Sequence, residues 1–103
     1  MIEATMFRSG NIYSVDVTGH AEYAPEGADI ICAAVSALVQ SFAFYCRKTD
    51  GIKVLDDEAS EGMASMVVYG DQRKIDPAYE MLKTGLSEIS LNFPENILVR
   101  GEK

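Results

Sequence analysis

Histidine and cysteine are scarce in this chain: one of the first, His20, and two of the second, Cys32 and Cys46, among 103 residues. One imidazole and two distant thiols do not make a zinc site, and no metal or cofactor is called for. On one continuous helix Cys32 and Cys46 would stand about 21 Å apart along the axis, beyond the reach of a disulfide. Basic residues are few as well, 9 Lys and Arg against 16 Asp and Glu, for a formal charge of −7. They do not cluster beyond the neighbours Arg47-Lys48 and Arg73-Lys74. Direct nucleic-acid binding is therefore not expected, and an acidic surface favours a basic partner. The opening "MIEATMFRSG" has no basic head followed by an apolar run, so no secretory signal is expected. The most apolar segment, "IICAAVSALVQSFAFYC", falls short of a membrane span and carries Ser36, Gln40 and Ser41; it reads as a buried helix, with no membrane partner. Two cysteines without an export signal imply free thiols in the cytoplasm. Linkers, low-complexity tracts and internal repeats are missing too, which leaves a single domain over residues 1–103.

What is present is an ordinary folding composition, 48% hydrophobic and 24% charged. Ile2 to Arg8 and Ile12 to Thr18 predict a hairpin joined through "SGN". In its second arm Tyr13, Val15 and Val17 alternate with Ser14, Asp16 and Thr18, the period of a half-buried strand. A loop from Gly19 to Ala28 follows, punctuated by Pro25 and Gly27. Asp29 is a good N-cap for a helix from about Ile30 to Lys48, whose Ala33, Ala34 and Ala37 would let it lie close on a sheet. A second hairpin runs from Ile52 to Ala59 and from Met63 to Tyr69, turning at "SEG". Asp76-Pro77 predicts the start of a second helix, with Asp as cap and Pro at the first helical position. Tyr79, Leu82, Leu86 and Ile89 form its apolar stripe. Ile97 to Arg100 closes the chain as a strand. The order β-β-α-β-β-α-β implies an α+β fold, a mainly antiparallel sheet with both helices on one face.

The stretch "GHAEYAPEGADIIC", Gly19 to Cys32, holds the residues with chemistry to offer. If Asp29 caps the helix, Cys32 lies in its first turn, where roughly half an elementary positive charge and free N–H groups favour a thiolate. His20 ends a strand just before the loop, and the loop is long enough to return the chain beside it. An imidazole there can take the thiol proton and pair with the anion. From residue type and spacing alone the alternative is strong: Cys32 as a core thiol in an apolar helix, His20 as a surface residue at a strand end. Glu22, Glu26 and Asp29 lie close in sequence, and carboxylates near the sulfur would raise its pKa; they would also draw in a basic substrate.

"GHAEYAPEGADIICAAVSAL" resembles the signature of the bacterial ribosomal-processing cysteine protease family, Prp. Gly19, His20, Ala21, Gly27, Asp29, Ile30, Cys32, Ala33, Ala34, Ser36, Ala37 and Leu38 all meet that pattern. Chain length and element order are similar as well. The resemblance implies a homodimeric endopeptidase that trims a short N-terminal extension from large-subunit ribosomal protein twenty-seven, after a hydrophobic stretch containing Phe. It implies Cys32 as nucleophile and His20 as base, then as acid for the leaving amine, with the loop ordering around the peptide. Around this pair, Asp29 either orients His20 or caps the helix. Ser36, one turn past Cys32, either bonds within the site or satisfies a backbone carbonyl. Gly19 and Gly27 either permit special backbone conformations and loop movement or are plain turn glycines. Oxyanion donors are expected among the N–H groups near the helix start. The competing function is a non-catalytic dimeric module that binds a ribosomal protein or assembly factor; a thiol-dependent acyl transferase is a third.

Overall fold

The computed structural model of the chain describes residues 1–24 and 29–101. Strands β1 (Ile2–Ser9) and β2 (Ile12–Thr18) form a hairpin, followed by helix α1 (Ile30–Lys48). A second hairpin, β3 (Ile52–Ser60) and β4 (Met63–Gly70), leads into helix α2 (Gln72–Asn92) and strand β5 (Ile97–Gly101). The five strands make one sheet in the order β3-β4-β2-β1-β5. Only the β1–β5 pairing is parallel; the others are antiparallel. The expected α+β order and mainly antiparallel sheet are what the chain builds.

Alternation decides which face is covered. Ile2, Ala4 and Met6 of β1, Tyr13, Val15 and Val17 of β2, and Met66 and Val68 of β4 all turn to the same side and are buried there. The helices complete that core with Ile31, Val35, Phe42, Ala43 and Cys46 from α1 and Ile75, Tyr79, Leu82 and Leu86 from α2. Each buried Val, Leu, Ile, Phe or Met side chain contributes about 1.5–3 kcal/mol of transfer free energy against the entropy of ordering the chain. Both hairpins close through two residues, Gly10-Asn11 and Glu61-Gly62, with the glycine of each at positive φ.

Three expectations are corrected. Helix α2 begins four residues before Asp76: Asp71 is its N-cap and accepts from the Arg73 N–H at 3.0 Å, and Pro77 lies inside the helix. Starting there brings Ile75 into the core, one turn ahead of Tyr79. The proline ring removes only the N–H that would have met the Arg73 carbonyl, near the exposed start. Asp76 does not cap at all; it accepts a hydrogen bond from the buried Tyr13 hydroxyl and pairs with Arg8 at 3.0 Å. Burial first, then this carboxylate, push the Tyr13 hydroxyl up to about 12. Second, Ala33, Ala34 and Ala37 face outward rather than onto the sheet, in line with the exposed Ile30 and Phe44. The sheet instead receives Val35, Phe42 and Ala43 of α1. Third, α1 is by length and composition apolar enough to cross a membrane. Five of its residues are committed to the domain core.

Candidate active site

The site forms where three chain segments converge: the end of β2, the start of α1 and the tip of the β3–β4 hairpin. Asp29 fixes the helix start. Its Oδ1 accepts from the N–H groups of Ile31 and Cys32, both at 3.0 Å, and its Oδ2 from the N–H of Tyr23 at 3.0 Å. These donors, Cys32 foremost, hold the Asp29 carboxyl below the usual carboxylate range. Of the two roles open to Asp29, the helix cap is the one built. The same carboxylate also tethers the chain leaving β2 to the turn that carries Cys32. Because its pKa is lowered on folding, the cap is intact above the ordinary carboxylate range and is lost as pH falls through the lowered value.

Cys32 is half-buried, and its Sγ accepts a hydrogen bond from the Ala21 N–H at 3.3 Å. His20 and Cys32 therefore approach through adjacent backbone, and both line the same groove. That groove has a volume of about 320 Å³ and runs between α1 and the β3–β4 hairpin. Val35, Val39, Ala43 and Met66 give it an apolar floor, and the Arg47–Asp57 ion pair stands at its far end. On the other side of the two residues is a recess lined by Glu22, Asp29 and Glu61 together with His20 and Cys32. The imidazole and the thiol thus belong to both concavities, one apolar and one acidic.

The remaining expected residues fall as follows. Gly19 has φ +92, and a Cβ there would lie 2.3 Å from the Met1 carbonyl oxygen, so this position requires glycine. Ser36 lines the groove but is exposed, and its hydroxyl accepts from Gln40 Nε2 at 3.0 Å. Gln40 lines the same groove, and among the described residues Ser36 makes no bond to a backbone carbonyl. Gly27 lies outside the described residues. Cys46 is fully buried, and burial pushes its thiol up to about 11, so it stays protonated at neutral pH.

A model of the family described as cysteine protease Prp matches residues 1–98. The chain belongs to this family. Over a 41-residue stretch it is 49% identical to the ribosomal processing cysteine protease Prp of Bacillus subtilis (strain 168), 38% of this chain and 37% of that one. Its fold superposes on that of the essential ribosomal processing protease Prp from S. aureus, crystallised with a covalently linked product peptide, with a TM-score of 0.85. That match is 19% identical and covers 99% of this chain and 100% of the other. SMU.848 from Streptococcus mutans is also similar: TM-score 0.72, 27% identity, 98% of this chain and 93% of that one. The Prp resemblance read from residues 19–38 therefore extends to nearly the whole domain.

Two neighbours of this Prp-family site are invisible in the sequence block. Asn96, just before β5, donates from Nδ2 to the Ala21 carbonyl at 2.9 Å. Gly62, at the hairpin tip, sits under the His20 ring: a Cβ there would fall 2.9 Å from Nε2. The tip is tied to the same strand end by the Gly19 N–H, which donates to the Gly62 carbonyl at 2.9 Å. The "SEG" turn is legible locally, but its position beside His20 comes from the β2–β4 pairing. Gly10 offers a control, since it also has positive φ (+60) but nothing within 4 Å of an added Cβ. Gly10→Ala should cost about 1–2 kcal/mol in backbone strain and leave activity alone. Gly62→Ala should cost as much and also lower kcat several-fold by pushing the imidazole aside. Equal kcat in the two variants, measured beside their melting curves, would contradict a role for the Gly62 gap.

Proposed function

We propose that this chain is an endopeptidase that removes the N-terminal extension of large-subunit ribosomal protein twenty-seven, with Cys32 as nucleophile and His20 as base. The observation that carries the reading is that His20 and Cys32 sit together at the junction of an apolar groove and an acidic recess. An extended peptide laid across that junction would rest apolar side chains, a Phe among them, on Val35, Val39 and Met66. It would pass its following, basic residues over Glu22 and Glu61. His20 takes the thiol proton, and the sulfur attacks the scissile carbonyl. The leaving amine takes that proton back, and water activated by His20 then releases the acyl group. Two solved structures of the S. aureus protein, with a covalently linked product peptide and with a substrate peptide, support a peptide-binding role for this fold.

The substrate is a product of cytoplasmic ribosomes, so the reading assigns the enzyme to the cytoplasm. The family resemblance implies a homodimer, and the exposed Ile30, Ala33, Ala34, Ala37 and Phe44 face of α1 is an apolar surface compatible with one. Equilibrium sedimentation at micromolar concentration tests this; a monomer there would remove the dimer from the reading.

Function is tested by incubating the protein with the ribosomal protein in its extended and pre-trimmed forms and weighing the products. Loss of one N-terminal fragment from the extended form alone is expected. A binding module would leave both masses unchanged, and a transferase would add mass. Steering by the −7 chain should also make kcat/KM fall as ionic strength rises from about 0.01 to 0.15 M, as the Debye length shrinks from about 30 to 8 Å. A flat profile would remove electrostatics from substrate capture.

A further inference from the structure

Attack on a carbonyl needs a hydrogen-bond donor aimed at the oxygen that becomes negative, and a helix start is the ordinary place to seek it. Here three of the donors of that start are committed. Ile31 and Cys32 give their N–H groups to Asp29 Oδ1, and Ala33 gives its N–H to the Asp29 carbonyl at 3.2 Å. The Ala21 N–H is differently placed. It points at the reacting atom itself, Cys32 Sγ, from 3.3 Å, and Ala21 is buried, so water does not compete for it.

This donor is also held in place. The Ala21 carbonyl accepts from Asn96 Nδ2 at 2.9 Å. Asn96 is itself anchored on both sides: its N–H donates to the Phe93 carbonyl at 3.0 Å, and its carbonyl accepts from the Ile2 N–H at 2.9 Å. The next residue, Glu22, has φ +59. A non-glycine residue keeps such a conformation where its surroundings impose it, and strain of this kind gathers at functional sites.

We propose that the Ala21 N–H is an oxyanion-hole donor for attack by Cys32, and that Asn96 is the positioning residue that holds it there. The inference rests on Cys32 being the nucleophile. As the sulfur bonds to the scissile carbon, the C=O π pair moves onto oxygen. Negative charge leaves the atom to which the Ala21 N–H now donates and appears on an oxygen two bonds away. The hydrogen bond follows the charge. When the carbonyl reforms, the C–N bond breaks, and the amine leaves with the proton that His20 took from the thiol.

The test replaces that single N–H by an ester oxygen. A synthetic 1–31 thioester carrying L-lactic acid in place of Ala21 is ligated to residues 32–103, whose Cys32 supplies the ligating thiol. The all-amide chain made the same way is the reference. Acylation of Cys32 by p-nitrophenyl acetate passes through an oxyanion, whereas alkylation by iodoacetamide does not. Both are measured on their high-pH plateaus, where the sulfur is fully ionised. Acylation should fall by about 10²–10³, with alkylation within a few-fold of the reference. Asn96→Ala should show the same split at roughly tenfold, without a matching loss in alkylation. An equal fall in both reactions would make Ala21 a thiolate partner only, and no fall in either would leave it without a chemical role; each overturns the proposal. Failure of the wild type to trim the extended ribosomal protein would fall on the proposed function alone, because these two rates are read without it.

Discussion

Replacing Cys32 by alanine should abolish peptide cleavage while leaving the fold as stable as before. The substitution removes one half-buried sulfur that, among the described residues, is hydrogen-bonded by the Ala21 N–H alone. Alanine is the best helix former, and the cap made by Asp29 bonds the backbone of residue 32 rather than its side chain. Stability should therefore change by less than about 1 kcal/mol. Catalysis has no such substitute. On the proposed mechanism the rate should drop by at least about 10³-fold, and His20→Ala should approach the same loss, because nucleophile and base would act as a unit. Cys46→Ala reverses the pattern. Its thiol is fully buried and held protonated by burial, so the variant should lose stability and keep activity. Iodoacetamide at neutral pH should label Cys32 and spare Cys46. A binding module without chemistry would behave otherwise: Cys32→Ala would keep every activity, and Cys32 would alkylate no faster than a free thiol.

How much of this could be read from the chain depended on distance along it. The alternation of Tyr13, Val15 and Val17 and the cap at Asp29 are local signals, and both elements begin where those signals place them. One loop joins His20 to the helix start and so allows the two to meet, but it was the resemblance of residues 19–38 to the Prp family that pointed to them as a pair. The start of α2 was not, since "DQRK" offers no apolar residue before Ile75, whereas Asp76-Pro77 carries a strong but false start signal. The outward set of Ala33, Ala34 and Ala37 was hidden too, because small residues suit a packed face and an exposed one alike. Gly62 and Asn96 lie about forty and seventy-five residues from the strand end they serve, and only sheet pairing brings them there. Local patterning thus specified most element bounds, the family resemblance of residues 19–38 pointed to His20 and Cys32, and the parts that would position that pair came from tertiary contacts.

Gly19→Ala should be among the most damaging single substitutions in the domain, for a reason that can be separated into two parts. At φ +92 an L side chain is strained whatever the space, and the added Cβ would also meet the Met1 carbonyl oxygen at 2.3 Å and its carbon at 3.3 Å. Those are backbone atoms next to the Ile2 N–H bond to Asn96, so the clash cannot be relieved by turning a flexible side chain. Conformational strain costs about 1–2 kcal/mol and the collision a similar amount or more, so a total near 3 kcal/mol is expected. For a domain of this size that lowers Tm by roughly 12–24 °C. The contributions are told apart by a chain that begins at Ile2, made by cleaving a tag, in which the offending carbonyl is gone. There Gly19→Ala should cost only the strain, recovering about half of the loss in a double-mutant cycle. If the cost is the same with and without Met1, contact between the two strand ends is not what demands glycine here. Activity should follow the same division, because Gly19 is bonded to Gly62 and is joined directly to His20. Pushing the strand ends apart moves the imidazole away from the sulfur, so kcat should fall in the full-length variant even at temperatures where it remains folded, and recover in the shortened one.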